Sequence, residues 1–238
     1  MDEDHIASAY DRDLEAVQAM IMKMGGLVEA AILRAAESLE KRDEEEAEAV
    51  RRADAAIDEL EMRVNEECAR TIALRQPAAG DLRTILTVMK IASNLERIGD
   101  YAKNMAKRTS VLVQMQPIEG SAGSIRRMAK QVELMLKDVL DAYIQRDPEL
   151  AEDVRQRDMD VDQMYNALFR NFLTFMMEDP RNITACMHLH FIAKNIERMG
   201  DHVTNIAEQV IYLVEGEMPV DDRPKRDRTA FETVGPEA

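Results

Sequence analysis

The sequence predicts an all-α protein of six long helices, arranged as two tandem three-helix units. Three observations predict it. Apolar residues recur at spacings of three and four over long stretches, the signature of helices with one buried face. Only 9 Gly and 7 Pro punctuate 238 residues, which favours long helices and short turns. Finally, Asn94-Leu95-Glu96-Arg97-Ile98-Gly99-Asp100-Tyr101-Ala102-Lys103-Asn104-Met105-Ala106 returns 101 residues later as Asn195-Ile196-Glu197-Arg198-Met199-Gly200-Asp201-His202-Val203-Thr204-Asn205-Ile206-Ala207, with seven of thirteen residues identical. The chain is a duplication.

The first helix is expected from about Leu14 to Lys41, with Val17, Met20, Met24, Val28, Ile32, Ala35 and Leu39 on its stripe. Gly25-Gly26 weakens its middle by ~1 kcal/mol per Gly relative to Ala, which suggests a close-packing point. Asp43 can cap the second helix, with Glu44, Glu45 and Glu46 in a first turn whose dipole favours anions. That helix should reach Gln76, before Pro77. Asp81 can cap the third, running to about Val113. The stretch Gln116-Pro117-Ile118-Glu119-Gly120-Ser121-Ala122-Gly123 then breaks the pattern between the halves. The second half repeats the first, from Ser124 to about Gln145, from Asp147-Pro148 to Asp179-Pro180, and on to Glu215-Gly216. The expected units are 1–115 and 121–216, and 217–238, with three prolines and no periodicity, reads as a disordered tail.

The net charge of −15 disfavours nucleic acid and anionic membrane as direct partners and favours cations or basic protein surfaces. Two cysteines supply no disulfide framework, the acidic start lacks a signal peptide, and no run approaches ~18 consecutive apolar residues. A soluble cytoplasmic protein is expected.

Glu96, Asp100 and Asn104 lie four apart and share a helix face, opposite the apolar stripe of Leu95, Ile98, Ala102 and Met105. Glu197, Asp201 and Asn205 repeat the arrangement, so both sets are expected on outward faces. A single such acid pair means little, since about nine arise by chance in a chain this acidic. Position adds weight. Asp54/Asp58 and Asp158/Asp162 form a second set, 104 residues apart, on the preceding helix of each half. Residues 56 and 98 are equidistant from Pro77, and 160 and 199 are nearly equidistant from Pro180. An antiparallel hairpin therefore brings Asp54 and Asp58 beside Glu96 and Asp100, and Asp158 and Asp162 beside Glu197 and Asp201. Four like charges converging twice is costly without a bound cation. Oxygen ligands suit Mg²⁺, Mn²⁺, Ca²⁺ or iron better than a structural zinc site. Pairing with Arg97 and Arg198 is the competing structural account. Gly99 and Gly200, each one residue before its Asp, suggest close approach by a neighbour.

In Cys186-x-His188-x-His190 only Cys186 and His190 share a helix face, and no fourth zinc ligand accompanies them. There is no phosphate loop, dinucleotide fingerprint or nucleophile elbow. Nothing in the pattern argues for catalysis.

At the doubled Asn-φ-Glu-Arg-φ-Gly-Asp run (φ apolar), with Asp81-Leu82-Arg83 ahead of its first copy, the chain resembles the phosphate uptake regulator PhoU family over about residues 10–216. The resemblance implies two three-helix bundles related by a pseudo-twofold axis. It implies metal clusters on the acid faces, held by Asp54, Asp58, Glu96 and Asp100 in one half and by Asp158, Asp162, Glu197 and Asp201 in the other. Iron, manganese, magnesium and zinc are the candidate ions. It further implies a homodimeric, non-enzymatic cytoplasmic adaptor between the ATPase of the phosphate ABC transporter and the regulon's sensor histidine kinase, touching the membrane only through partners. With phosphate plentiful, such an adaptor represses the starvation response and restrains uptake. Two positions depart from the family pattern. Asn94 and Asn195 stand where many members carry an acid, and Tyr165 stands where the first half has Glu61. The alternatives are a metal–carboxylate enzyme and a purely structural helical protein.

Overall fold

A computed structural model describes residues 2–219 and 229. Among the described residues there are no strands, and the helices are α1 (Asp2–Lys41), α2 (Glu44–Ala53), α3 (Ala55–Arg75), α4 (Ala79–Leu112), α5 (Ser121–Gln145), α6 (Pro148–Glu178) and α7 (Ile183–Glu215). A 3-10 turn, Pro180–Asn182, links α6 to α7. From position 220 on, apart from Thr229, the expected tail lies outside the described residues.

Local chemistry explains the boundaries. The Asp43 carboxylate accepts from the Glu46 amide, and Asp147 accepts from the amides of Glu149 and Leu150 ahead of Pro148. Arg42 and Arg146 close α1 and α5 in the left-handed region, with φ of 56° and 52°. Four expectations shift. α1 begins at Asp2 rather than Leu14, and Tyr10, one turn ahead of Leu14, packs against the core. Asp81 is a first-turn acid of α4 rather than its cap, and Ala78 takes the cap position without a side-chain bond. α5 starts at Ser121, after Gly120 at φ 71°. The helix expected over 44–76 is interrupted at Asp54, where α2 gives way to α3.

The apolar stripes of all the helices merge into one core, with Ile21, Met24, Ile32, Leu95, Ile98, Met128, Val132 and Ile196 fully buried. Each half is a three-helix bundle, α2 and α3 counting as one rod. The bundles join along α1 against α5 and α4 against α7. Positions matched by the repeat meet there. Tyr101 and His202, 101 apart in sequence, pack with ring centroids at 5.6 Å. Glu29 and Glu133, 104 apart, are near enough for Glu133 to raise the Glu29 pKa after burial has done so. Equivalent residues meet only where a twofold axis passes, so the pseudo-twofold runs through both interfaces. Gly25 is the close-packing point in α1, because a Cβ there would overlap the Leu140 side chain, whereas Gly26 faces open space.

The stretch Arg12–Lys41 of α1 is long and apolar enough to cross a bilayer by length and composition. Its apolar residues Val17, Ile21, Met24, Val28 and Ile32 are nevertheless buried in the core, with Lys23 and Glu29 midway along it.

Candidate functional site

The hairpin packing of α3 on α4 and of α6 on α7 brings the acids of each half into one groove. In the first groove Asp54 sits at the α2–α3 interruption and is only 3% exposed. Its Oδ2 accepts from Lys103 Nζ at 2.5 Å, while its Oδ1 is buried and makes no hydrogen bond. Lys103 Nζ also lies 3.4 Å from Asp100 Oδ1. Although Asp58 is exposed overall, its carboxyl is raised above its usual range, first by partial burial and then by Asp54, Asp100 and Glu61. Glu96 is raised by burial, then by Asp100, Asp58 and Glu61. Acids of α3 and α4 therefore face one another.

The second groove is more enclosed. Asp158, Asp162 and Glu197 are 2%, 3% and 4% exposed, with Asp201 half-buried. Lys194 Nζ lies 2.9 Å from Glu197 Oε1 and 4.9 Å from the centroid of the Tyr165 ring. The asymmetry follows from side-chain identity. Where the first groove has the Glu61 carboxylate, the second has the buried Tyr165 ring.

The outward placement expected for Glu96, Asp100, Glu197 and Asp201 fails for Glu197, which is buried, as are Asp54, Asp158 and Asp162 on the facing helices. Asp54, Asp158, Asp162 and Glu197 point into the helix–helix groove, because the neighbouring helix packs on the face opposite the central stripe. The glycines make room for this packing. A Cβ on Gly200 would lie 2.7 Å from Asp158 Oδ1, and one on Gly99 would lie 2.9 Å from Ile57 Cδ1 and 3.5 Å from Asp54 Oδ1.

The cations beside the acids differ from those the motif suggested. Arg97 reaches Glu96 only at 3.5 Å and Asp100 at 3.8 Å from a side chain 59% exposed, and Arg198 is exposed. Lys103 and Lys194 make the close contacts instead. Neither was singled out, although each lies three residues from a motif acid, within reach along a helix. The donor set suits a hard cation, being all oxygen, with four of the eight acids buried and one Asp54 oxygen lacking a hydrogen bond. The side chains are not drawn together around an ion: among the described residues no three His, Cys, Asp or Glu close on a common point. The histidine motif disperses. Cys186 is buried, His190 packs against Tyr165, Phe169 and Phe191, and His188 Nδ1 lies 3.4 Å from Arg108 Nη1. His202 turns away from the acids, 2.8 Å from Asn94 Oδ1.

The raised carboxyls carry a pH signature. Folded Asp58 and Glu96 hold protons more tightly than the unfolded chain, whose reference values are 3.8 and 4.5. The folded state therefore binds more protons just above those values, and this contribution to stability is lost as pH rises through the folded pKa values. Removing the raised carboxyls should leave metal-free Asp58→Asn/Glu96→Gln less dependent on acidification than the parent. Thermal melts from about pH 6 down to about pH 4, the range that starts from the reference values, test this; parallel curves would show that the two carboxyls titrate alike in both states.

Comparison with known proteins places these grooves in context. The PhoU domain matches residues 21–109 and again 125–210. A phosphate-specific transport system accessory protein PhoU homolog of Rhizobium meliloti is 44% identical over 226 residues, covering 95% of each chain. The crystal structure of PhoU from Pseudomonas aeruginosa superposes with a TM-score of 0.84 at 40% identity, covering 87% of this chain and all of that one. The phosphate transport system regulatory protein PhoU from Streptococcus pneumoniae superposes with a TM-score of 0.80 at 30% identity, covering 88% of this chain and 99% of that one.

Proposed function

This chain belongs to the PhoU family, and from that premise we propose that it is a cytoplasmic, metal-binding accessory protein of phosphate transport. On this reading it acts as a homodimeric negative regulator of the phosphate-starvation regulon and of phosphate uptake. It would link the ATPase of the phosphate ABC transporter to the regulon's sensor histidine kinase. The observation that supports the metal-binding half is the duplicated groove, in which Asp100 of α4 lies close enough to raise both Asp58 of α3 and Glu96 of α4 and, at the matching place, Asp158, Asp162 and Glu197 are buried. Asp54, Asp58, Glu96 and Asp100 would hold metal in one, and Asp158, Asp162, Glu197 and Asp201 in the other. Burial and then repulsion by neighbouring acids raise Asp58 and Glu96, and bound cations would offset both. The reading assigns no catalytic residue. The ions would fix the angle between paired helices, and so the surface offered to partners.

Lys103 and Lys194 favour a second reading, in which ammonium groups neutralise the grooves and the acids are structural. Metal analysis of the purified protein separates the two.

The regulatory half is tested in cells growing on abundant phosphate. Deleting the gene should switch on a phosphate-starvation reporter, and restoring the intact chain should silence it. A reporter that stays off in the deletion strain would withdraw the negative-regulator reading.

A further inference from the structure

We propose that the pocket around Arg146 is the docking site for the protein's own C-terminal segment from Pro219 onward. It would sit there as the linker between the halves sits in the matching pocket of the other half. The linker shows what such a pocket accepts. Arg42 Nη2 donates to the carbonyls of Leu112 at 3.1 Å, Val113 at 2.7 Å and Met115 at 2.6 Å, fastening the end of α4 and the start of the linker. Pro117 and Ile118 then lie across a cavity walled by Leu39, Leu112 and Leu189, leaving about 80 Å³ open.

The repeat carries this pocket onto a second one. Leu39 becomes Tyr143, Arg42 becomes Arg146, Leu112 becomes Leu213 and Leu189 becomes Val88, and all four line a cavity of about 300 Å³. Leu14 of the longer α1 stands at the position of Ile118. Nothing described stands in for Gln116 and Pro117. Arg42 is half-buried under the linker, whereas Arg146 is exposed. Among the described residues no carbonyl or carboxylate accepts a hydrogen bond from the Arg146 guanidinium.

The occupant follows from topology and sequence. α7 ends beside this pocket as α4 ends beside the other, and Leu213 in its last turn forms part of the wall. Beyond α4 the chain reads Pro117-Ile118-Glu119; beyond α7 it reads Pro219-Val220-Asp221, followed by Asp222. A proline favours extended backbone whose carbonyls stay free to accept, Val220 suits the apolar wall, and the two carboxylates suit a guanidinium. Nineteen residues follow Pro219, ample length at ~3.3 Å per extended residue.

Disulfide trapping in the full-length chain tests the docking. Gln18 lines the Arg146 pocket at the place where Ala122 lines the other. Under mild oxidation, Gln18→Cys/Val220→Cys should close an intramolecular bond about ten-fold faster than Gln18→Cys/Val234→Cys, reflecting the higher effective concentration of a docked segment. Adding Arg146→Glu should slow the 220 pair toward the 234 pair. Cys68 and Cys186 are buried, and the parent chain under the same oxidation controls for them. Equal rates for the two pairs would overturn the proposal, as would bonds formed only between chains, which would give the pocket to a second copy. A fast 220 pair indifferent to Arg146→Glu would overturn it as well, because the guanidinium is what defines the site.

Discussion

Adding Mn²⁺ to chelator-stripped protein should raise its melting temperature by about 5–10 °C, the largest response to solution conditions expected here. A ligand at 100 times its dissociation constant stabilises the native state by ~2.7 kcal/mol, and ~1 kcal/mol moves the midpoint of a chain this size by about 2–4 °C. The ion would act against a burden already present. Asp54, Asp158, Asp162 and Glu197 are nearly excluded from water, and Asp58 and Glu96 are held above their usual pKa range. Metal binds the ionised carboxylates, and Asp58 and Glu96 take up protons at higher pH than unperturbed acids, so loading of the first groove should weaken as pH falls toward their raised pKa values. Lys103 must also give up Asp54 Oδ2. Asp54→Asn/Asp58→Asn/Glu96→Gln/Asp100→Asn should remove one part of the shift and the corresponding four changes in the second half the other, since amides keep volume but lose charge. A midpoint indifferent to Mn²⁺, Mg²⁺ and Fe²⁺ would leave the acids as partners of Lys103 and Lys194 alone.

The fold was legible because periodicity and duplication report the same thing twice. The stripe through Leu95, Ile98, Ala102 and Met105 is fully buried, and the hairpin count about Pro77 brought α3 and α4 into the right register. The break at Asp54 was not legible. Its φ and ψ of −56° and −36° are those of ordinary helix, so no turn residue marks it. Nor was the burial of the acids. A three-helix unit packs each helix against two others, so a face opposite the main stripe can still be covered. A helix read by itself has one inside, whereas α3 and α4 each have two. Lys103 and Lys194 were missed for a related reason. They occupy non-equivalent positions in the two repeats, Lys103 matching Thr204 and Lys194 matching Ser93, and attention to what repeats passes over what does not.

Gly200→Ala should destabilise the protein by up to about 2 kcal/mol, although Ala is ordinarily the better helix former by ~1 kcal/mol. The reason is local. The new Cβ would lie 2.7 Å from Asp158 Oδ1, on a carboxylate only 2% exposed with little room to retreat. Overpacking of this kind costs ~1–3 kcal/mol, more than the propensity gain. Gly99→Ala should behave differently. There the nearest atom is the terminal methyl of Ile57 at 2.9 Å, which a rotamer change can withdraw, and Asp54 Oδ1 is 3.5 Å away. That substitution should be within about 1 kcal/mol of neutral, its propensity gain offset by the Ile57 rearrangement. Denaturant unfolding of the two variants beside the parent measures the contrast. Because the clash in Gly200→Ala displaces a groove carboxylate, its Mn²⁺-induced shift should also shrink, whereas Gly99→Ala should keep most of its own. Equal, stabilising effects from both substitutions would mean that the helices reseat freely and that neither glycine sets the position of the acids.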